Sequence, residues 1–355
     1  MTDSSPVYTI NQSISDSSAP PIPLASLWAQ SYSPTPSEPL LNLAQGVPGA
    51  PPPPQFLHKL AEAAGDPATT GYGDLRGDSG LRRELARDVV TVYGVKEGAQ
   101  GVDSENEVAI TAGCNLAFYA TLLALCPPKS SVILPTPWYF NHQMTISQLS
   151  LSLIPLRCQP PSFLPSPSDC ATLLSDNPNV RAIILVSPNN PTGAVYPPEL
   201  LKAFAELAVE RGVALVLDET YREFVVGRPH GLFAETEWRR YLVHLFSFSK
   251  SYAIPGHRLG ALLTSPPLLS QIRKLLDCLQ ICPARPAQRA VEWAVENTRE
   301  WREGVREELA RRQRVFGGLV EGVEGWRVET GGGSNTLSPP SLPKSSRAVS
   351  LNMSE

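Results

Sequence analysis

Long apolar runs are missing from this 355-residue chain. No stretch approaches the roughly 18 residues that a membrane-spanning helix requires, and no charged, then apolar, then small-residue leader opens the N-terminus. Neither a membrane span nor a secretory signal is expected, and the cytosol is the expected location. Charge of one sign is also missing. The 30 Lys and Arg stand against 34 Asp and Glu, a net charge of −4, and the basic residues are scattered, so the chain has no footprint for nucleic acid or an anionic membrane. The five histidines, at 58, 142, 230, 244 and 257, do not cluster as ligands. The six cysteines, at 114, 126, 158, 170, 278 and 282, are irregularly spaced in a chain too large to need disulfides. Cys278 and Cys282 could share one helix face, but they lack the further ligands a metal site needs. Free thiols, no metal and small-molecule chemistry are the expectation. No internal repeat is present.

With 42% hydrophobic residues, a chain of this length can fill the core of a large domain and part of a smaller one. Residues 1–40, rich in Ser and Pro, read as a mobile tail that docks near Leu24 to Ser31. Gly46-Val47-Pro48-Gly49-Ala50 and the prolines after it exclude helix and central strand. Apolar spacing predicts helices at Leu81–Tyr93, Asn115–Leu125 and Pro198–Arg211. Short apolar runs at Val132–Leu134, Ala182–Val186, Ala214–Leu217, Leu242–Phe246 and Ala261–Thr264 read as strands. This alternation predicts an α/β fold, a mostly parallel sheet sandwiched by helices. The large domain is expected over residues 41–285. Over 286–333 a solvated helix, from about Pro286 to Leu319, leads into a smaller, incomplete α/β domain, and 334–355 is low-complexity.

In such sheets ligands bind beyond the carboxyl ends of strands, and the chemistry-bearing motifs lie there. In Ser247-Phe248-Ser249-Lys250-Ser251 a lysine sits in a serine-rich turn, with Arg258 eight residues on. A buried lysine can form a Schiff base with an aldehyde, while hydroxyls and a guanidinium beside it can hold a phosphate. Pyridoxal phosphate is an aldehyde that carries a phosphate. Upstream, Asp218 ends a buried strand, where an anionic carboxylate would keep a pyridine nitrogen protonated, and Tyr221 could hydrogen-bond the ring's phenolic oxygen. Ser187-Pro188-Asn189-Asn190-Pro191-Thr192-Gly193 offers Asn190 as a second donor to that oxygen.

These separated motifs resemble the class I and II aminotransferases, fold-type-I enzymes dependent on pyridoxal phosphate, from about Leu41 to Gly332. The resemblance implies a catalytic Lys250 and a phosphate cup of Gly113, Cys114 and Asn115 at a helix start, completed by Ser247 and Arg258 with Ser249 as a further hydroxyl. It implies Tyr139 as the aromatic face under the cofactor ring, with Trp138 as the second choice, and Gly46 and Asn190 at the substrate entrance. Tyr72, in Tyr72-Gly73-Asp74-Leu75-Arg76-Gly77, would reach the cofactor phosphate of a partner in a homodimer. The implied reaction moves an amino group between an amino acid and a 2-keto acid. A β-eliminating carbon–sulfur lyase on the same scaffold and an impaired cofactor-binding protein stay open. The family's arginine for the substrate carboxylate would lie beyond Gly333, where Arg347 is the only arginine and its surroundings do not match.

Overall fold

A strand covered on both faces must be apolar along most of its length, and the runs at 182–186, 214–217 and, His244 apart, 242–246 meet that condition. The computed structural model of the chain describes residues 7–41, 44–95, 101–235, 237–321, 323, 327–331 and 334–338, and it places these runs in the middle of a seven-stranded sheet. Helices α1 (Gln12–Ser15), α2 (Pro21–Gln30), α3 (Pro54–Gly65) and α4 (Ser79–Tyr93) precede it. Then follow β1 (Val108–Thr111), α5 (Cys114–Leu125), β2 (Ser131–Thr136), α6 (Phe140–Gln148), β3 (Ser152–Arg157), α7 (Pro167–Asp176), β4 (Val180–Val186), α8 (Pro198–Arg211) and β5 (Ala214–Asp218). The chain continues through β6 (Leu242–Ser247), β7 (Gly260–Leu263), α9 (Pro266–Leu279), α10 (Arg285–Asn297) and α11 (Arg299–Val320) to a hairpin of β8 (Arg327–Gly331) and β9 (Ser334–Ser338).

The strand order is β1-β7-β6-β5-β4-β2-β3. Only β7 runs antiparallel to its neighbours; the other pairings are parallel. Side chains alternate between faces with the strand period of two. Ile183, Leu185, Leu215 and Leu217 enter one core, while Ala182, Ile184, Ala214 and Val216 enter a second on the opposite face. Helix α8 illustrates how the sequence punctuates these elements. Its first residue is Pro198 and it stops at Gly212, whose φ of +63° suits glycine best.

Three departures from the sequence reading have physical reasons. The α3 helix follows the proline run because Pro54 occupies a first-turn position, where its missing N–H costs nothing, and Phe56 and Leu60 are buried. Pro155 hides β3, an edge strand that pairs only with β2, where a proline is tolerated. The single solvated helix expected from Pro286 is two helices. The first, α10, buries Ala287, Gln288, Ala290, Val291, Ala294 and Val295 and packs against α3 and α4. Ser334–Ser338 pairs with Arg327–Gly331 where composition predicts no regular structure. In the N-terminal segment, Ser13 Oγ donates to the Gln148 carbonyl at 3.1 Å, whereas Leu24, Leu27 and Trp28, in the stretch expected to dock, are exposed. Arg347 lies outside the described residues. Among the described residues no helix is long and apolar enough to cross a membrane, and all six cysteines are free thiols.

Candidate active site

The sheet brings the carboxyl ends of its strands to one edge. Asp218, the last residue of β5, is level with Val186 of β4 and Leu245 of β6. Ser247 ends β6 opposite Gly260 of β7, and Gly260 also faces Thr111 at the end of β1. The residues after Thr111, Val186, Asp218 and Ser247 therefore converge.

Asp218 is the electrostatic centre of this edge. Burial alone would raise its pKa, but His142 Nε2 at 3.1 Å from Oδ2 and the Thr220 N–H, 2.9 Å from Oδ1, hold the carboxyl below its ordinary value, so it stays anionic. His142 sits on α6, one turn after Tyr139, and packs against Phe118 with tilted rings whose centres are 4.0 Å apart. Cys114 Sγ lies 3.9 Å from Asp218 Oδ2. Burial, reinforced by the Asp218 charge, pushes the Cys114 thiol up and keeps it neutral.

The first turn of α5 forms a cradle. Gly113 has φ +89°, which glycine alone adopts freely, and a Cβ there would lie 2.3 Å from an Arg258 guanidinium nitrogen. Gly260 packs so closely that a Cβ on it would meet the Cys114 nitrogen at 2.4 Å. The N–H groups of the α5 start, the Arg258 guanidinium and the Ser247–Ser249 turn thus face one space. Ser249 Oγ is 3.5 Å from Arg258, and the Ser247 hydroxyl accepts the Ser249 N–H at 3.2 Å.

Lys250 Nζ donates to the Gly46 carbonyl at 2.6 Å, which brings the N-terminal glycine–proline segment to the lysine. The same nitrogen lies 5.9 Å from the centre of the Tyr221 ring. Burial, helped by the Arg258 charge, lowers the Lys250 pKa. Tyr221 lies beside Asn190, and burial pushes its phenol up. Tyr139 lies beside Asn115, and burial raises its phenol also. Trp138, the second choice for the aromatic face, is partly buried and packs against the core cluster on one side of the sheet.

Of the residues singled out from sequence, Gly46, Gly113, Cys114, Asn115, Tyr139, Asn190, Asp218, Tyr221, Ser247, Ser249, Lys250 and Arg258 belong to this neighbourhood. Tyr72 does not. Its side chain is 81% exposed. His142 was missed although it stands in the aromatic run after Pro137; its spacing of three from Tyr139 was the available signal. Also missed was Glu219, next to Asp218, a buried carboxylate. Its Oε2 accepts from Tyr93, from His230 Nε2 at 3.0 Å and from His244 Nε2 at 2.9 Å. Those contacts join residues far apart in sequence, so no local pattern announces them.

The sequence profile described as aminotransferase class I and II matches residues 38–337. The chain belongs to this family. An aromatic aminotransferase from Arabidopsis thaliana is 30% identical over 74% of this chain; the match spans 65% of that protein's own length. A solved N-succinyldiaminopimelate aminotransferase from Mycobacterium tuberculosis aligns with a TM-score of 0.81 at 26% identity, covering 92% of this chain and 82% of that one. The substrate-bound BacF structure from Bacillus subtilis, at 23% identity and a TM-score of 0.82, shares the fold over 92% of this chain and 82% of its own.

Members of the class I and II family use pyridoxal 5'-phosphate, and this aminotransferase-family chain has a donor set that fits it. The Gly113 cradle that a Cβ would fill opens beneath Arg258 and suits a dianionic phosphate. The buried, ionised Asp218 suits a protonated ring nitrogen. Lys250, Tyr221 and Asn190 supply the amine and the two donors that an aldehyde and a phenolic oxygen require.

Proposed function

We propose that the chain is a pyridoxal-phosphate-dependent aminotransferase that moves an amino group between an amino acid and a 2-keto acid, with Lys250 as the amine that joins the cofactor's aldehyde. The observation that carries this reading is the pairing of a buried anionic Asp218 with the partly buried amine of Lys250 at one strand edge. Bound pyridoxal phosphate supplies an aldehyde for amino groups and a ring that spreads the charge left when an α proton departs.

The chain's own residues then have defined tasks. Gly113, Cys114 and Asn115 offer main-chain donors, and Ser247, Ser249 and Arg258 add hydroxyls and a cation to hold the phosphate. Tyr139 supports the ring face. Asp218 holds the proton on the ring nitrogen, with His142 fixing the carboxylate. Tyr221 and Asn190 donate to the phenolic oxygen. Lys250 is the base that takes the substrate's α proton and returns it, and burial, which lowers its pKa, shifts it toward that role. Its contact with the Gly46 carbonyl supports placing the substrate entrance at that segment. Tyr72, exposed on a single chain, is assigned to the phosphate of a second copy in a homodimer. A protein that sediments as a monomer with cofactor bound would contradict that part.

The test is turnover. Purified protein with pyridoxal phosphate, a panel of amino acids and a keto-acid acceptor is expected to form a new amino acid. Keto acid and free thiol from a cysteine conjugate, without transamination, would assign a carbon–sulfur lyase on the same scaffold. Cofactor absorbance with no turnover of any donor would contradict both.

A further inference from the structure

The turn that carries Lys250 adopts a conformation its sequence does not favour. Ala253, three residues on, has φ +54°, in the left-handed region that an alanine rarely enters, and the Ser251 hydroxyl is buried without a hydrogen-bond partner. Such a turn persists only where its surroundings over-determine it. Here the surroundings are a row of edge-to-face rings closed at both ends by arginines. The Arg222 guanidinium lies 4.0 Å from the Phe246 ring centre; Phe246 and Phe248 are 5.1 Å apart, and Phe248 and Tyr252 are 5.2 Å apart. The Arg302 guanidinium lies 4.4 Å from the Tyr252 ring centre.

Arg302 stands in the first turn of α11 and is 3% exposed. Its Nη1 donates to Thr298 Oγ1 at 2.7 Å and to the Ala294 carbonyl at 3.2 Å, and its Nη2 donates to the Val295 carbonyl at 3.0 Å. Its Nε reaches Glu223 Oε2 at 3.3 Å. Glu223 is two residues beyond Tyr221, and Tyr252 is two residues beyond Lys250. A single side chain therefore touches the joint between α10 and α11 and the two loops that present Lys250 and Tyr221. A planar guanidinium can do this because its edge donates in several directions while its face lies on a ring.

We propose that Arg302 is a positioning residue for Lys250: through Tyr252 it holds the lysine turn in its strained conformation, and through Thr298 and Glu223 it ties that turn to the root of α11 and to the Tyr221 loop. The proposal rests on the reading of Lys250 as the cofactor-joining amine. It goes beyond that reading by placing control of the lysine's position in a residue 52 positions away on the helix that leads to the C-terminal hairpin.

Two readouts on the full chain test it, with Arg302→Met, Arg302→Lys and a control, Arg299→Met, which shares the turn and binds Asp88 but is 40% exposed. In amide hydrogen exchange without cofactor, Arg302→Met is expected to speed exchange over residues 248–253 by about tenfold or more while β4 and β5 keep wild-type rates. Arg299→Met is expected to match wild type over 248–253. In binding, Arg302→Met is expected to lose about tenfold or more in affinity for pyridoxal phosphate and less than about twofold for pyridoxamine phosphate, since only the aldehyde engages Lys250. Arg302→Lys keeps charge without a plane and is expected to follow Arg302→Met. Tyr252→Leu, which removes the contact from the other side, is expected to give the same signature should an Arg302 variant not fold. Unchanged exchange at 248–253, exchange raised equally in β4 and β5, or equal weakening of both cofactor forms would overturn the proposal. If the wild type shows no difference between aldehyde and amine forms, the assignment of Lys250 fails, while the exchange result still decides whether Arg302 holds the turn.

Discussion

The contact between β7 and the start of α5 makes Gly260→Ala a sharp perturbation of the phosphate cradle. The added Cβ would sit 2.4 Å from the Cys114 nitrogen and 2.6 Å from the Gly113 carbonyl carbon. Ordinary contact between such atoms is about 3.5 Å, so strand and helix must separate by about 1 Å. Both obstacles are backbone, so no side chain can swing aside. Overpacking of this kind costs about 1–3 kcal/mol, which for a chain of this size lowers the melting temperature by about 1–4 °C. A shift of that size moves the N–H groups of Gly113, Cys114 and Asn115 away from the phosphate. Losing one hydrogen bond to a charged group costs about 1.5–3 kcal/mol, or about ten- to a hundredfold in cofactor affinity. The assay is thermal unfolding with titration of pyridoxal phosphate, followed by absorbance. The control is Gly256→Ala, where a Cβ meets nothing within 4 Å and the change is expected to stay within about 0.5 kcal/mol. A Gly260→Ala protein that melts with wild type and binds cofactor within about twofold would refute the close-packed cradle.

Two further predictions follow from the buried carboxylates. Asp218→Asn keeps the shape but removes the negative charge held between His142 and Thr220; exchange of the substrate's α proton should fall about a hundredfold or more while cofactor stays bound through its phosphate, and near-wild-type exchange would remove Asp218 from its role. Glu219 is opposed by burial, but His230 and His244 hold its pKa well below the ordinary 4.5 in the folded chain. Its stabilisation is therefore present above pH 4.5 and lost as pH falls below that value toward the folded pKa. Glu219→Gln should lower stability at neutral pH and flatten the acid limb of the stability–pH curve in urea unfolding; an acid limb as steep as wild type would contradict this.

The parts of the site legible in the sequence were those whose chemistry is local. Asp218, Lys250 and Asn190 each follow an apolar run, and the position of a residue just after a buried strand is a property of the chain itself. Gly113 follows such a run and opens a helix, but it is the resemblance that makes that turn a phosphate cup. What stayed hidden depends on partners distant in sequence. The charges of residues 286–319 read as a solvated face, yet Arg302 is 3% exposed because Tyr252, Glu223 and Thr298 enclose it. Arg222 is buried against Asp88 and the Phe246 ring in the same way. Periodicity cannot separate such an arginine from a surface one, since the compensation lies in the fold. Pro155 misdirected the reading for the opposite reason: a local rule against strand was outweighed by an edge position that only the sheet order reveals.

The most direct test of the central claim is reductive trapping at Lys250. Protein incubated with pyridoxal phosphate, reduced with borohydride, digested and analysed by mass spectrometry is predicted to carry the phosphopyridoxyl group on the peptide containing Lys250, with loss of the visible absorbance on reduction. A label on Lys274 with Lys250 unmodified, or no reducible adduct at all, would contradict it.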